Sequence, residues 1–441
     1  MGRKAPTPRS RRRAPDKPHA PEPDGLPKYV VEDLPEAPAA VSEPAVPARR
    51  HDVQLDHSRI DFDAQKVIHR LTRHGYQAYL VGGCVRDLLL DRRPKDFDVA
   101  TNARPEEVRR LFRNSRIIGR RFRLVHVLFA GGKVIEVATF RRNPLPDHDP
   151  MENGNGSSSD VDLLIRNDNA FGEAHEDALR RDFTINALFY DFERRQILDW
   201  VGGMEDVQRR IIRTIGDPET RFREDPVRIL RAIKFASRLD FGLDPSVYDA
   251  IALTRQSLAL AARPRLFEEI LRLLRGGAAH RSMWLAWELG VLSVLLPELA
   301  TFFDDSPDLE GKGPAAHAFQ TFREIDRRTR LRGAPLDDIV LCTALLLEPL
   351  KEACENQRDR VEAAYEFLDP IIDRLAIPRR MSDAMRRIIA VMPRIAANRP
   401  GRFAKTDLYP LAKEIVELDR SFSASSPASS IGSEQVRPEQ T

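Results

Sequence analysis

The run Leu80-Val-Gly-Gly-Cys-Val-Arg-Asp-Leu-Leu-Leu-Asp-Arg-Arg-Pro-Lys-Asp-Phe-Asp-Val99 packs two chemical devices into twenty residues. One is a glycine turn between an expected strand and an expected helix; the other is the acid pair Asp96 and Asp98. Two acids spaced by two on a strand point to the same face. Such neighbours repel unless a cation lies between them. Mg²⁺, held by one or two carboxylates and by substrate phosphates, is the natural occupant. A third acid, Glu136 in Val134-Ile-Glu-Val-Ala-Thr-Phe140, shares a strand face with Val134 and Ala138. A carboxylate on an apolar face is costly unless paired or metal-bound; the alternative is a solvent-facing glutamate on an edge strand. Three acids converging on Mg²⁺ predict metal-assisted chemistry on a nucleotide. One ion would activate an attacking hydroxyl while a second supports a triphosphate. The protein's task is then positioning and charge stabilisation.

Other motifs supply a nucleotide's remaining contacts. Gly82 and Gly83 let backbone approach a phosphate at a helix start, with Arg86 in reach and Asp87 to brace it. Any strand-to-helix turn can use glycine, and the Gly-Lys-Ser/Thr ending of a P-loop is absent. Arg180-Arg-Asp-Phe-Thr-Ile-Asn-Ala187 is expected to open a helix. There Asp182 and Asn186 share a face and can both bond a ribose, and Arg181 can meet a phosphate. In Glu224-Asp-Pro-Val-Arg228 the proline presets a helix start. Asp225 and Arg228 then form an acceptor and donor pair matched to the Watson–Crick edge of adenine or cytosine, or else an ordinary intrahelical ion pair. Residues 104–123 carry eight arginines against two glutamates. Arg120, Arg121 and Arg123 flank Phe122, a surface for phosphates and stacked bases or a plain solvated face.

The elements that must hold these residues alternate up to about residue 203. Strands are expected at 78–81, 97–100, 125–129, 134–140 and 196–200, and helices at 64–74, 85–90, 105–113 and 182–189. Beyond that the apolar spacing is helical throughout, beginning with 227–237 and 266–274. The fold class is therefore an α/β N-terminal unit followed by an all-α arm. The first fifty or so residues hold eleven of the 32 prolines and six basic residues within 3–13, and are expected to be a disordered basic arm. Residues 150–160 read as a flexible loop and 421–441 as a disordered tail.

A chain of 441 residues supports two or three packed units. The net charge of +3 excludes nothing by itself. Cys84, Cys342 and Cys354 lie far apart, which argues against a disulfide framework or a zinc site. With no long apolar run and no signal-like start, a cytoplasmic protein without membrane insertion is expected.

Taken together, the motifs at 82–98, 136–141, 180–187, 199–206 and 224–228 resemble, in order, the class II tRNA nucleotidyltransferase and bacterial poly(A) polymerase family. The resemblance covers roughly residues 57–415. Ile117-Ile-Gly-Arg-Arg-Phe-Arg-Leu-Val-His-Val127 is similar to an element of its poly(A)-adding branch, where CCA-adding relatives carry a shorter His-Gly-Thr sequence. The resemblance implies a polymerase β-type nucleotidyltransferase head at 57–203 after an arm at 1–56. A helical neck at 204–275 and an RNA-binding body and tail at 276–420 would follow. It also implies that Asp96 and Asp98 bind Mg²⁺ and that Gly82, Gly83 and Arg86 hold triphosphate. Asp182 would contact ribose, Asp225 and Arg228 the base, and 199–206 would be a flexible hinge. The helix at 263–269 would buttress the base-reading element. The implied reaction adds AMP from ATP to RNA 3′ ends and releases pyrophosphate, with RNA-decay proteins as further partners. CCA or partial CC or A addition to tRNA is the first alternative, and a non-catalytic RNA-binding protein the second. The long basic C-terminal extension of many such polymerases is absent, and the basic arm here is N-terminal.

Overall fold

The computed structural model describes residues 44–119, 123–142, 170–306, 313–355 and 357–420. The head is built from β1 (Arg49–Asp52), α1 (Phe62–Arg73), β2 (Ala78–Val81), α2 (Gly83–Leu89), β3 (Asp98–Thr101), α3 (Pro105–Leu111), β4 (Ser115–Ile118), β5 (Leu124–Leu128), β6 (Val134–Thr139), α4 (Ala174–Leu179), β7 (Phe189–Asp191) and β8 (Gln196–Asp199). These strands form one sheet in the order β1-β8-β7-β2-β3-β6-β5-β4. Every neighbouring pair is antiparallel except β3 and β6, which run parallel. Asp61 caps α1 by accepting the Asp63 and Ala64 N–H groups, and the helix buries Ala64, Val67, Ile68 and Leu71. That stripe and Val108 and Leu111 of α3 join Leu80, Val99, Val125 and Val137 in one core. The helices thus fill one face of the sheet and leave Asp98, Glu136 and His126 on the other.

After the head come α5 (Gly203–Arg209), β9 (Ile211–Ile212), α6 (Pro218–Glu224), α7 (Val227–Leu239), β10 (Gly242–Leu243), α8 (Pro245–Thr254) and α9 (Arg263–Arg275). The remainder is helical: α10 (Ala279–Glu288), α11 (Leu292–Leu295), α12 (Pro297–Asp304), α13 (Pro314–Arg332), α14 (Asp338–Cys354), α15 (Arg360–Leu375), α16 (Arg379–Ala396) and α17 (Tyr409–Arg420). The core of the head continues through α7 and α9 into this helical half. The α/β head followed by helices is the architecture that the sequence pattern predicts.

Two local expectations are corrected. The arm does not extend through residue 56, because Arg49–Asp52 forms the edge strand β1 in register with β8. No helix spans 182–189: α4 ends at Leu179, Thr184–Asn186 make one 3₁₀ turn, and Phe189 starts β7. Burial decides this, since Phe183 to Tyr190 are all buried and a surface helix exposes one face. Strands β4, of four residues, and β7, of three, are additional to those expected, and β7 begins inside the stretch read as a helix. The arm at 1–43, the loop at 150–160 and the tail at 421–441 lie outside the described residues.

Far from the sheet, His317 of α13 ties three helices together. Its Nδ1 lies 3.2 Å from Glu348 Oε1 on α14, and its Nε2 bonds the Asp419 carbonyl on α17 at 3.0 Å. Lys351 Nζ lies 2.7 Å from Glu348 Oε1 and also bonds Asp419. The hydrogen bond to Glu348 raises the His317 imidazolium above its ordinary range, against the opposing pull of burial. A raised folded-state value stabilises the protein fully below pH about 6.5, and the contribution fades as pH rises through the folded value. Chemical denaturation should therefore show a stability advantage over His317→Gln at pH 6 that shrinks by pH 8. A constant difference would remove this role.

Candidate active site

The site is assembled where β2 ends. Gly82 has φ +76°, and a Cβ there would sit 3.2 Å from Arg181 Nη1. The chain turns at that residue into α2, which places Arg86 beneath the cleft. Arg86 is only 3% exposed. Its Nε and Nη2 donate to Asp87 Oδ1 at 3.0 and 2.6 Å, and its Nη1 donates to Asn186 Oδ1 at 2.5 Å. The same guanidinium lies 5.3 Å from the Phe235 ring centre of α7. Arg86 therefore stitches the glycine turn to the 182–187 segment and to the neck.

The acids sit on the adjoining wall. Asp98 opens β3, while Asp96 precedes the strand rather than lying on it. Phe97 between them is buried and both aspartates are exposed, so the two carboxylates still share one side. Glu136 lies directly beside Asp98 in the parallel β3–β6 register, and His126 lies opposite Glu136 on β5. His126 Nε2 is 3.3 Å from Glu136 Oε1. Asp98 is open to the cleft yet crowded by protein. Desolvation and then the charges of Glu136 and Asp96 push its carboxyl up to about 6, against the pull of Arg181. An oxygen-only donor set that is destabilised by its own charge fits a hard divalent cation.

Asp96 and Asp98 open onto a cleft of about 780 Å³ lined also by Gly82, Gly83, Arg86, Asp87, Arg181, Asp182 and Asn186. Arg181 donates to Asp177 Oδ2 from Nη2 at 3.0 Å and to the Asn186 carbonyl from Nη1 at 3.1 Å. Asp182 accepts from Arg231 Nε at 2.6 Å and from Asn186 Nδ2 at 3.3 Å. Burial alone would raise the Asp182 carboxyl. Arg231 outweighs it and holds the group below its ordinary value. Asp182 and Asn186 thus meet through a 3₁₀ turn rather than along a helix face.

Several predicted residues stand elsewhere. Glu136 flanks the cleft but is not among its lining residues. Asp225 and Arg228 are also outside the lining. Asp225 caps α6 and takes a bidentate bond from Arg265 of α9 at 2.8 and 2.6 Å. Arg228, 7% exposed, donates to the Arg221 carbonyl and to Glu224 Oε2, both at 2.9 Å. Arg123 pairs with Glu106 at 2.6 Å, and Arg120 and Arg121 lie outside the described residues.

Sequence reasoning missed the remaining cations of the cleft, namely Lys95, Arg141, Arg180, Arg231 and Arg238. A signal existed for two: Arg231 and Arg238 are seven apart on the helix that Arg228 opens, which places them on one face. Arg221 of α6 also clasps the head, donating from Nη2 to the carbonyls of Arg180 and Arg181 at 2.9 and 2.6 Å. At the segment expected to be a hinge, the buried Asp199 carboxylate accepts the N–H groups of Val201, Gly202, Gly203 and Met204 at 2.9–3.1 Å.

The sequence matches the poly A polymerase head domain over residues 78–213, and the family described as a probable RNA and SrmB-binding site of polymerase A over 240–303. It is 38% identical over 405 residues to poly(A) polymerase I of Salmonella typhimurium, covering 89% of this chain and 84% of that one. The chain belongs to the poly(A) polymerase I family. It is an RNA nucleotidyltransferase acting at 3′ ends. Poly(A) polymerase I of Escherichia coli O157:H7 is 37% identical over the same 89% of this chain. The CCA-adding enzyme of Geobacillus stearothermophilus is 40% identical, but over 54% of this chain and 55% of that one. Among solved structures, the Bacillus stearothermophilus CCA-adding enzyme in complex with CTP is 29% identical with a TM-score of 0.54 over 82% of this chain and 78% of that one. For this poly(A) polymerase family member, the cleft described above is the candidate active site. No helix among the described residues is long and apolar enough to cross a membrane.

Proposed function

We propose that the protein is a template-independent polynucleotide adenylyltransferase that adds AMP from ATP to RNA 3′ ends. The observation that carries this reading is an acid pair facing a cleft otherwise rich in arginine. Asp96 and Asp98 mark one wall, and seven cations, Arg86, Lys95, Arg141, Arg180, Arg181, Arg231 and Arg238, line the cleft with them, outnumbering the remaining acids Asp87, Asp177 and Asp182. Such a cleft suits a polyanion bound beside a cation. Mg²⁺ held by Asp96 and Asp98, with Glu136 alongside, would supply hydroxyl activation and charge neutralisation. Lys95 and Arg238, which have no ion pair among the described residues, are the cations most available to phosphates. Asn186 and Asp182 would meet the ribose, and Asp225 and Arg228 would read the base once released from Arg265 and Glu224. Arg120, Arg121 and Arg123 would hold RNA, and the 240–303 helices would receive RNA-decay proteins in the cytoplasm.

Adenylation is favoured over CCA addition by reach. Likeness to the poly(A) polymerases extends over 89% of the chain, against 54% for the Geobacillus enzyme. The test gives purified protein an unstructured RNA with each nucleoside triphosphate singly, and a tRNA lacking its CCA end with all of them together. Long tails from ATP alone are expected. Addition that stops after a defined CCA on tRNA would defeat the reading.

A further inference from the structure

The loop that leads to Asp96 is tied to the neck by one arginine that the cleft itself does not contain. The chain turns at Asp91, whose φ is +60°, and runs through Arg92, Arg93, Pro94 and Lys95 to Asp96. Arg59, just before α1, holds this loop to the head. Its Nη1 donates to the Asp91 carbonyl at 2.7 Å and lies 2.8 Å from Asp91 Oδ1. Arg92 reaches to the neck instead. Its backbone N–H is fixed by the Asp87 carbonyl at 2.8 Å. Its Nη1 donates to the Arg238 carbonyl at 3.0 Å, and its Nη2 to the Leu239 carbonyl at 3.3 Å. Among the described residues these are the only hydrogen bonds from 91–96 to the helical half.

The bonds fall where α7 lacks donors. The last four carbonyls of a helix have no N–H of their own helix to accept, and they form the negative end of its dipole. At the end of α7 the N–H groups of Asp240 and Phe241 both return to the Ala236 carbonyl. The carbonyls of Arg238 and Leu239 are left over, and the Arg92 guanidinium takes both. Arg92 is exposed and is not among the residues lining the cleft, whereas Lys95, Asp96 and Arg238 are. Farther back along α7, Arg231 is bonded to Asp182 of the head. Arg231 and Arg238 are seven residues apart, about 10.5 Å at 1.5 Å per residue. A single attachment lets a rod swing about that point, and a second at its end fixes its direction.

We infer that Arg92 is a positioning residue for nucleotide binding: it holds the end of α7 to the acid-bearing loop, so that Arg238 of the neck and Lys95 of the head meet the same polyanion. Arg92 touches no substrate and acts through Arg238. This role rests on the cleft being the nucleotide site, and it is independent of which base is added.

The experiment is a double-mutant cycle in the full-length protein. Arg92→Met, Arg238→Met and the double variant are compared by KM and kcat for the nucleoside triphosphate that the enzyme uses, on a saturating RNA primer. A cation that binds phosphate equally in the ground and transition states shows in KM alone. Each single variant should raise KM about tenfold, the size of one charge-assisted hydrogen bond, with kcat little changed. The double variant should be no worse than Arg238→Met, because a brace has no effect once the braced group is gone. Arg92→Lys keeps a donor at the helix end and should return KM most of the way to the parent value. Melting temperatures should stay within about 2 °C, as substitution at an exposed position allows. A raised KM in Arg238→Met but not in Arg92→Met overturns the proposal and spares the cleft as the nucleotide site. Parent-like KM in both overturns the proposal together with that reading of the cleft. Additive losses in the double variant overturn it as well, because Arg92 would then act other than through Arg238. So does a loss in Arg92→Met that comes with a fall in melting temperature and that lysine fails to rescue.

Discussion

Asp98→Asn should lower nucleotide incorporation about a thousandfold or more while RNA binding persists. Metal-assisted charge stabilisation is worth several kcal/mol, and each 1.36 kcal/mol is a factor of ten. The variant should also fold at least as well as the parent when divalent ions are removed. Its carboxyl is pushed up to about 6, first by desolvation and then by Glu136 and Asp96. A raised acid loses stability as pH climbs from the ordinary carboxylate range through the folded value. Neutral asparagine escapes that loss, so the parent's disadvantage should grow between pH 4 and pH 7. A variant that is both inactive and unfolded would make Asp98 structural instead. Unchanged incorporation would refute the metal assignment.

Arg86→Met should produce the largest loss of stability in the site. The substitution strands the buried Asp87 carboxylate and removes the bond to Asn186. Breaking a buried charge pair by deleting one partner costs about 3–5 kcal/mol. At roughly 2–4 °C per kcal/mol for a unit of 150–250 residues, the melting temperature should fall by about 10 °C. Arg86→Met/Asp87→Leu removes both charges and should recover much of that loss, because nothing ionised is then left unpaired. If Arg86→Met melts like the parent but fails to bind ATP, the residue is a phosphate arm and not a brace.

The head was legible where local pattern and tertiary role coincide. Ala78–Val81 is a run of four apolar residues in a strand buried on both faces, so composition alone marks it. The glycine pair is legible because Gly82 has a positive φ that side chains resist. Asp96 and Asp98 are legible because Phe97 between them is core, whether or not a strand covers both. The Asp182–Phe189 stretch misleads because its charges at the start imitate a helix N-terminus. Its backbone is instead claimed by tertiary partners, with Thr184 N–H donating to the Arg213 carbonyl and Ile215 N–H to that of Asp182. Arg231 escaped notice because a helical arginine ordinarily faces water. Its partner Asp182 is 49 residues away, beyond any local pattern. The capture of Asp225 by Arg265 across 40 residues is hidden for the same reason. Local spacing names which groups carry chemistry, while long-range pairing decides what each group touches before substrate arrives.

Divalent ion binding tests the centre of this account most directly. Mn²⁺ shares the carboxylate preference of Mg²⁺ and can be counted by its paramagnetic signal in the presence of a non-hydrolysable ATP analogue. The parent protein should bind Mn²⁺ tightly, and Asp96→Asn and Asp98→Asn should each lose that binding while remaining folded. Equal Mn²⁺ affinity and stoichiometry in the parent and both variants would contradict the account, because the ion would then be held by groups other than this pair.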